Sequence, residues 1–150
     1  DSHNFNKAST GDGIIDSYRN CYIKEIDNKF DSIIFKGVAE VLRLYSEEFK
    51  NVNFGLSCED TGYQHLLYKG SEKGEYKEHV DHYDLHPRTL SCSIILNNDY
   101  DGGDFAFFGG ELIFPKKAGA ANIFPSNFCF PHAITPVTNG NRHSIVTWFW

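Results

Sequence analysis

The 150-residue chain lacks the features that mark several protein classes. It has no methionine and only four cysteines, and none of these forms a C-x-x-C pair or a zinc-ligand spacing, which argues against a structural zinc site. No stretch is long and apolar enough to span a membrane, and no signal peptide is recognisable. We therefore expect no membrane partner.

Positive charge is also scarce. Fourteen Lys and Arg face twenty Asp and Glu, which gives a formal net charge of −6, and no basic run occurs. Backbone phosphates require a basic surface, so nucleic acid is not expected as the main partner.

The cysteines are Cys21, Cys58, Cys92 and Cys129, and nothing in their spacing requires a disulfide. Cys92 and Cys129 sit in apolar runs and are predicted to be buried thiols. This usage favours a reducing cytoplasm. The chain begins at Asp1 and has no methionine, so we expect a trimmed or processed product.

Aromatic residues and glycine are abundant, with thirteen Phe, eight Tyr and thirteen Gly, as is typical of β-rich folds with tight turns. Two helices are predicted before the β-rich part, a short one over 14–26 and a longer one over 31–49. Asp31 or Ser32 is predicted to cap the longer helix. Its apolar residues recur at three- and four-residue steps: Ile34, Val38, Val41, Leu42, Tyr45 and Phe49.

The remainder predicts seven or eight short strands separated by glycine-containing turns. The last two strands are expected to pair as a hairpin across Asn139-Gly140. The sequence therefore predicts a mainly β barrel or sandwich supported by helices. It predicts one domain over 1–150, with the supporting helices at about 14–50 and the β core at about 63–150. The predicted strands are 63–68, 75–81, 89–96, 104–108, 111–114, 121–124, 132–137 and 142–150.

A candidate metal site lies in the stretch from Gly74 to Asp81. His79 and Asp81 are two residues apart, so both side chains point the same way if the stretch is extended. His132, about fifty residues later, can supply a second imidazole from a distant strand. Two histidines and one carboxylate form the facial triad of non-haem Fe(II) oxygenases.

Other residues compete for these positions. A second H-x-D pair, His82 and Asp84, lies within a polar loop, and we prefer the first pair because a strand fixes its geometry. For the third ligand His132 competes with His65, His86 and His143. A core histidine with a satisfied hydrogen bond is the plain alternative for His132.

Arg142 decides that choice in favour of His132. It lies ten residues after His132, at the start of an apolar strand. A buried arginine there can hold the far carboxylate of an organic-acid cosubstrate through paired hydrogen bonds. His143 alternates with Arg142 and therefore points outward if Arg142 points inward.

The combined motifs, in this order along the chain, resemble the prolyl 4-hydroxylase branch of the Fe(II)/2-oxoglutarate oxygenases, in its small microbial or phage form. The resemblance implies a double-stranded β-helix (jelly roll) with supporting N-terminal helices. It also implies hydroxylation of a C–H bond coupled to conversion of 2-oxoglutarate and O₂ to succinate and CO₂. The matching residues are 66–68, 74–76, 79–81, Arg88, 96–97, 102–103, 124–126, His132 and 136–142.

The resemblance also implies roles. His79, Asp81 and His132 would bind iron, while Arg142 and Ser144 would hold the C5 carboxylate of 2-oxoglutarate. The cosubstrate pocket would include Tyr68 and Trp148, and Tyr76 and Arg88 are candidate substrate contacts; strand-edge packing and a surface charge are the plain alternatives for these two. Ile95 stands where the hypoxia-sensing members have a tyrosine that helps hold this carboxylate, so the chain departs from that subgroup.

Three functions remain open from the sequence. The first is hydroxylation of peptidyl proline, with Fe(II), 2-oxoglutarate, O₂ and possible help from ascorbate. The second is the same chemistry on another amino-acid or protein side chain. The third is a cupin-like metal- or sugar-binding jelly roll without oxygenase activity, which has no need for Arg142 at the base of the pocket. A monomer acting on a proline-containing peptide or protein is favoured.

Overall fold

The computed structural model describes residues 5–57, 59–82 and 87–150, and in these ranges β-strands dominate. One α-helix, α1 (Asp31–Glu48), is flanked by the 3₁₀ turns Asn28–Phe30 and Lys50–Phe54. The described strands are β1 Asn6–Lys7, β2 Arg19–Asn20, β3 Tyr22–Glu25, β4 Gln64–Lys69, β5 Glu75–His79, β6 Leu90–Ile95, β7 Asp101–Gly102, β8 Phe105–Phe107, β9 Leu112–Phe114, β10 Ala121–Pro125, β11 His132–Ile134, β12 Val137–Asn139 and β13 Asn141–Phe149.

Two antiparallel sheets form the body of the molecule. The major sheet has the order β1-β3-β4-β13-β6-β10, and the minor sheet has the order β2-β5-β11-β8-β9. From β5 onward the chain alternates between the sheets, with β5, β8 and β11 in the minor sheet and β6, β10 and β13 in the major one. This winding is a double-stranded β-helix, and the predicted mainly β jelly roll is confirmed.

Aromatic residues from both sheets meet in one buried cluster. Tyr68 and Phe124 from the major sheet pack with Phe105, Phe107 and Ile134 from the minor sheet. Burial of such large apolar side chains is the dominant favourable term in folding. Four of these residues also line a cavity that contains polar side chains, namely Tyr68, Phe105, Phe124 and Ile134.

Helix α1 covers the outer face of the major sheet. Its Val38 is 2% exposed and shares a second apolar cluster with Leu90, Cys92 and Phe149. The predicted apolar stripe is therefore confirmed from Ile34 to Tyr45, whereas Phe49 follows the helix and is 55% exposed. The predicted cap is wrong. Phe30 precedes the helix without a side-chain cap.

Instead, the acidic side chain that caps this region belongs to the preceding 3₁₀ turn. There the Asp27 carboxylate accepts a hydrogen bond from the Lys29 amide at 3.0 Å.

The helix predicted over 14–26 is not present. Residues 19–20 and 22–25 are the strands β2 and β3, which pair with β5 and β4 respectively. Buried Cys21 sits between them, and its carbonyl accepts a hydrogen bond from the Ala8 amide at 3.0 Å. Pairing with distant strands overrides the weak helical periodicity of this segment.

The hairpin predicted for the last two strands is also wrong. β11 pairs with β5 and β8, whereas β13 pairs with β4 and β6, so the chain changes sheets between them. Gly140 still makes a turn with φ 69°, and a Cβ there would lie 2.7 Å from the Asp99 carbonyl oxygen. Glycine is thus needed at position 140 because the backbone at Asp99 and Tyr100 passes too close for a side chain, and not because the residues form a two-residue hairpin.

The cysteines are partly as predicted. Cys92 is a buried free thiol, as is Cys21, but Cys129 is exposed. Cys129 lies in a tight turn closed by a hydrogen bond from the Phe130 amide to the Asn127 carbonyl, which holds it at the surface. Cys58 lies outside the described residues. In the part of the chain that the structure describes, none of the helices has the length and apolar character needed to traverse a lipid bilayer.

A histidine pair joins β4 to β13 on the outer face of the major sheet. His65 Nε2 and His143 Nδ1 are 2.9 Å apart, so one ring donates a proton and the other accepts it. Burial, followed by the charges of His143 and Lys24, lowers the pKa of His65 to about 4. Burial also lowers the pKa of His143. Both rings are therefore kept neutral in the folded protein.

We expect this pair to make stability depend on pH. A lowered folded pKa means that the unfolded chain binds the proton more tightly, so the contribution is complete above an unfolded pKa of about 6.5 and declines as pH falls. For His65 the decline extends to about pH 4. Thermal unfolding of wild type and His65→Gln across this range should show a steeper loss of Tm in wild type.

The control is His82→Gln, which removes an exposed histidine and should retain the wild-type slope. Parallel Tm curves for wild type and His65→Gln over the same pH interval would contradict the neutral-pair assignment.

Candidate metal centre and cosubstrate pocket

Three potential metal ligands converge where β5 ends and β11 begins. His132 is paired in register with His79 across the two strands, and Asp81 follows two residues after His79. The two imidazole Nε2 atoms each lie 3.5 Å from one carboxylate oxygen of Asp81. One ligand atom from each residue lies within 4.8 Å of the others. This spacing allows the three groups to share one cation.

Both imidazoles are oriented by a main-chain carbonyl on their own strand. His79 Nδ1 lies 2.8 Å from the Lys77 carbonyl oxygen, and His132 Nδ1 lies 3.0 Å from that of Phe130. A carbonyl only accepts hydrogen bonds, so each Nδ1 carries the proton and each Nε2 keeps a free lone pair. Such outer contacts fix the tautomer and the ring orientation of metal-binding histidines.

The Asp81 carboxylate is held in its ionised form. Burial opposes ionisation, but the adjacent His132 and His79 rings outweigh it and lower the pKa of Asp81 well below its usual value. Burial is also the main cause that lowers the pKa of His79. A carboxylate beside a neutral imidazole is the protonation state that metal coordination requires.

A pair of serines is linked to the Asp81 carboxylate by hydrogen bonds. The hydroxyl of Ser91 donates to Asp81 Oδ2 at 2.7 Å and lies 2.8 Å from the hydroxyl of Ser126. Both serines are buried, at 2% and 1% exposure. Ser91 comes from β6 in the opposite sheet, so it connects the carboxylate to the major sheet.

The donor set fits a ferrous ion. Two neutral imidazole nitrogens and one carboxylate oxygen suit Fe(II), and three ligands on one side leave positions free for other groups. Among the described residues this is the one group of three or more His, Cys, Asp or Glu side chains with metal-binding spacing. No thiolate belongs to it.

Arg142 lies deeper in the same cavity. Its side chain is 1% exposed, and Nη1 donates to the Ser144 hydroxyl at 2.9 Å. The guanidinium carbon is 5.2 Å from the centre of the Tyr68 ring, and Nε is buried without a hydrogen-bond partner. No described carboxylate forms an ion pair with it. A buried cation with an unused donor is suited to bind an anion.

The cavity that joins these groups has a volume of about 290 Å³. Its wall also contains Tyr76, Arg88 and Trp148. The Tyr76 ring is stacked on His79 with centroids 3.5 Å apart. The Arg88 guanidinium lies 3.8 Å above Trp148 and donates to the Asp81 carbonyl at 3.2 Å.

All nine residues selected from the sequence therefore line one cavity. They are Tyr68, Tyr76, His79, Asp81, Arg88, His132, Arg142, Ser144 and Trp148.

The competing histidines lie elsewhere or outside the described residues. His65 and His143 pair with each other on the outer face of the sheet, as the alternation with Arg142 predicts. His82 is exposed, three residues beyond the end of β5. Asp84 and His86 are outside the described residues.

The sequence interpretation missed several residues of the cavity wall. Lys7, Ser9 and Arg19 come from the N-terminal segment, and Ser91 and Ser126 support the carboxylate. The incorrect helix over 14–26 concealed Arg19. A usable signal for the serines was present, because Ser91 and Ser93 alternate in an otherwise apolar strand.

Comparison with known families decides the assignment. Residues 63–150 match the family model described as the 2OG-Fe(II) oxygenase superfamily. The chain belongs to this superfamily. The matched segment contains the three potential ligands, Arg142 and Ser144, and excludes β1 to β3 and α1.

Curated relatives are similar over part of their length. A PKHD-type hydroxylase from Colwellia psychrerythraea is 34% identical over 92 residues, which cover 55% of this chain and 40% of the relative. A PKHD-type hydroxylase from a Synechococcus species is 32% identical over 73 residues, which cover 46% of this chain and 32% of the relative. The matched region thus spans less than half of each relative.

Solved structures are similar over nearly the whole chain. A Trichoplax adhaerens prolyl hydroxylase in complex with a hypoxia-inducible-factor peptide fragment has a TM-score of 0.79, with 20% identity, and covers 99% of this chain and 71% of that one. A Pseudomonas putida prolyl-4-hydroxylase has a TM-score of 0.74, with 24% identity, and covers 97% and 76%. The predicted resemblance to the prolyl 4-hydroxylase-like branch is confirmed at the level of fold.

We expect His79→Ala to lose metal binding. Removing one of three ligands should weaken Co(II) or Fe(II) binding by more than the ~10–100-fold that loss of an outer-shell partner costs. Anaerobic titration of the purified protein with either ion measures this. His82→Ala, which changes the nearest described competing histidine, should bind as wild type does. The reverse result, with binding lost only in His82→Ala, would show that the wrong H-x-D pair was chosen.

Proposed function

We propose that the chain is an Fe(II)- and 2-oxoglutarate-dependent hydroxylase. His79, Asp81 and His132 hold the ferrous ion, and Arg142 with Ser144 binds the C5 carboxylate of 2-oxoglutarate. The bound iron supplies the chemistry that couples decarboxylation of 2-oxoglutarate, to succinate and CO₂, with hydroxylation of a C–H bond by O₂. The main support for this proposal is that one cavity contains both the three potential ligand side chains and a buried guanidinium.

The residues around the cavity have separate tasks in this proposal. Ser91 keeps the Asp81 carboxylate oriented through its 2.7 Å hydrogen bond. Arg142 balances the negative charge of the cosubstrate and determines its direction, and Tyr68 forms an apolar wall beside it. Arg142 and Ser144 are 1% and 0% exposed, and charge interactions are stronger at such buried positions than in water.

The most favoured substrate is a prolyl residue in a peptide or protein. Two similar structures are prolyl hydroxylases, one of them with a bound peptide. Tyr76 and Trp148 add aromatic side chains to the cavity wall, and proline-containing peptides dock well in aromatic-lined grooves. Arg88 lies between Trp148 and the Asp81 carbonyl and is the second candidate substrate contact.

The name PKHD-type hydroxylase, carried by the curated relatives, leaves the substrate open. The same chemistry on another side chain is therefore the alternative. The buried and incompletely bonded Arg142 argues against a metal- or sugar-binding jelly roll, which has no use for it. A single domain over 1–150, a monomeric state, a cytoplasmic location and a role for ascorbate stay predictions.

Arg142→Ala should mainly raise the KM for 2-oxoglutarate. Loss of a charge-assisted, forked contact should increase it by about tenfold to hundredfold. Succinate formation at varied 2-oxoglutarate concentration measures this value. Arg43→Ala is the matched control, because Arg43 is an exposed arginine on α1 paired with Glu40 and Glu47. An unchanged KM in Arg142→Ala would refute the assigned role.

Candidate proline-containing peptides should gain one oxygen when incubated with the protein, Fe(II), ascorbate and 2-oxoglutarate. Mass spectrometry should show a shift of about 16 Da on proline, from the oxygen that the iron chemistry inserts. Asp81→Ala is the inactive control. Succinate formation without any modified proline, across a broad peptide set, would favour the alternative substrate.

A further inference from the structure

The N-terminal segment supplies an arginine to the cavity. Arg19 lies in β2 and is paired in register with Tyr76 of β5, at the edge of the minor sheet. Its side chain forms part of the cavity wall. Arg19 lies outside the residues that match the family model, so family membership assigns it no role.

Aromatic contacts hold the Arg19 guanidinium beside Tyr76 in the cavity wall. Its central carbon lies 4.6 Å from the centre of the Tyr76 ring, and the same ring is stacked on His79, with centroids 3.5 Å apart. Tyr18 packs against Tyr76 as well, with the two rings at 82°. The charge is thus held in a fixed place by aromatic packing.

The donors of Arg19 are only partly used. The guanidinium donates through Nη1 to the Ser9 carbonyl at 2.7 Å and also hydrogen-bonds to Cys21, whereas Nε is buried without a hydrogen-bond partner. No described carboxylate forms an ion pair with it. A buried N–H without a partner costs free energy, and the cost is recovered when a ligand oxygen accepts from it.

The N-terminal segment adds a second cation, Lys7, to the cavity wall. The Lys7 ammonium already has partners within the protein. Its ammonium donates to the Asn20 side-chain oxygen at 2.6 Å and lies 3.2 Å from an Asp16 carboxylate oxygen. The proposed cosubstrate also has its own cation in Arg142. Arg19 is therefore the cation in this segment that is left for a different ligand.

We propose that Arg19 is a substrate-anchoring residue, which donates to a carbonyl or carboxylate oxygen of the substrate beside the reacting carbon. This inference rests on the proposed function, because it requires that a peptide enters the cavity next to the metal. The main-chain carbonyl of the peptide and an acidic side chain are the two sources of such an oxygen. The 4.6 Å contact with the Tyr76 ring holds the guanidinium in the cavity wall.

Peptide binding can be measured without turnover. Protein loaded with redox-inert Zn(II) and 2-oxoglutarate is titrated with a blocked, uncharged peptide that contains one proline, and then with the same peptide carrying Asp beside the proline. Tryptophan fluorescence reports binding, because Trp148 lines the cavity. Wild type, Arg19→Lys and Arg19→Gln are compared, and Lys36→Gln removes the same charge from the exposed side of α1.

We expect Arg19→Gln to weaken peptide binding by about tenfold to hundredfold, since one charge-assisted hydrogen bond is lost. Arg19→Lys retains the charge but not the fork and should lose less, while Lys36→Gln should bind as wild type does. An effect on both peptides identifies the main-chain carbonyl as the acceptor. An effect on the acidic peptide alone identifies the carboxylate.

Two results would overturn the inference and leave the proposed function intact. One is equal binding of both peptides by wild type and Arg19→Gln. The other is a loss confined to Zn(II) or 2-oxoglutarate affinity, which would mean that Arg19 acts only by supporting Tyr76 and the neighbouring side chains. Failure of wild type to bind either peptide would instead remove the peptide substrate, and the Arg19 assignment with it.

Discussion

The antiparallel pairing of β5 with β11 is the constraint on which the site depends. It sets His79 directly opposite His132, so two residues that are far apart in sequence become neighbours at one position of a ladder. Asp81 reaches the same place because the chain leaves β5 immediately after His79, and Ser91 from the other sheet fixes its carboxylate. The backbone pairing of β5 with β11 thus brings the two imidazole ligands together.

The second requirement is a charge that the protein leaves unbalanced. Arg142 is almost completely buried, yet it meets a hydroxyl and aromatic rings instead of a described acid. A fold optimised only for stability would neutralise or remove such a cation. Arg142 lies on β13 and lines the same cavity as the three potential metal ligands. This buried, unpaired charge distinguishes the molecule from a β-sandwich with a purely structural core.

The sequence was informative where a local pattern determines the outcome. Alternation in the strand after Arg142 correctly separated it from His143, and the apolar spacing around Val38 located α1. Residues 14–26 were misinterpreted because β2 and β3 owe their structure to β5 and β4, far along the chain. The same non-local pairing explains why Arg19 was missed and why a hairpin was wrongly predicted at Gly140. In both cases the strands pair with partners that are distant in the sequence.

The hydrogen bonds of the two imidazoles have a broader consequence. Each ring is anchored to a carbonyl only two positions earlier on its own strand, Lys77 for one and Phe130 for the other. The orientation of the two imidazoles is thus specified within short peptides, whereas the Asp81 carboxylate depends on Ser91 from the other sheet. Substitutions elsewhere in the cavity wall can therefore alter which molecules fit without removing the contacts that orient these two rings.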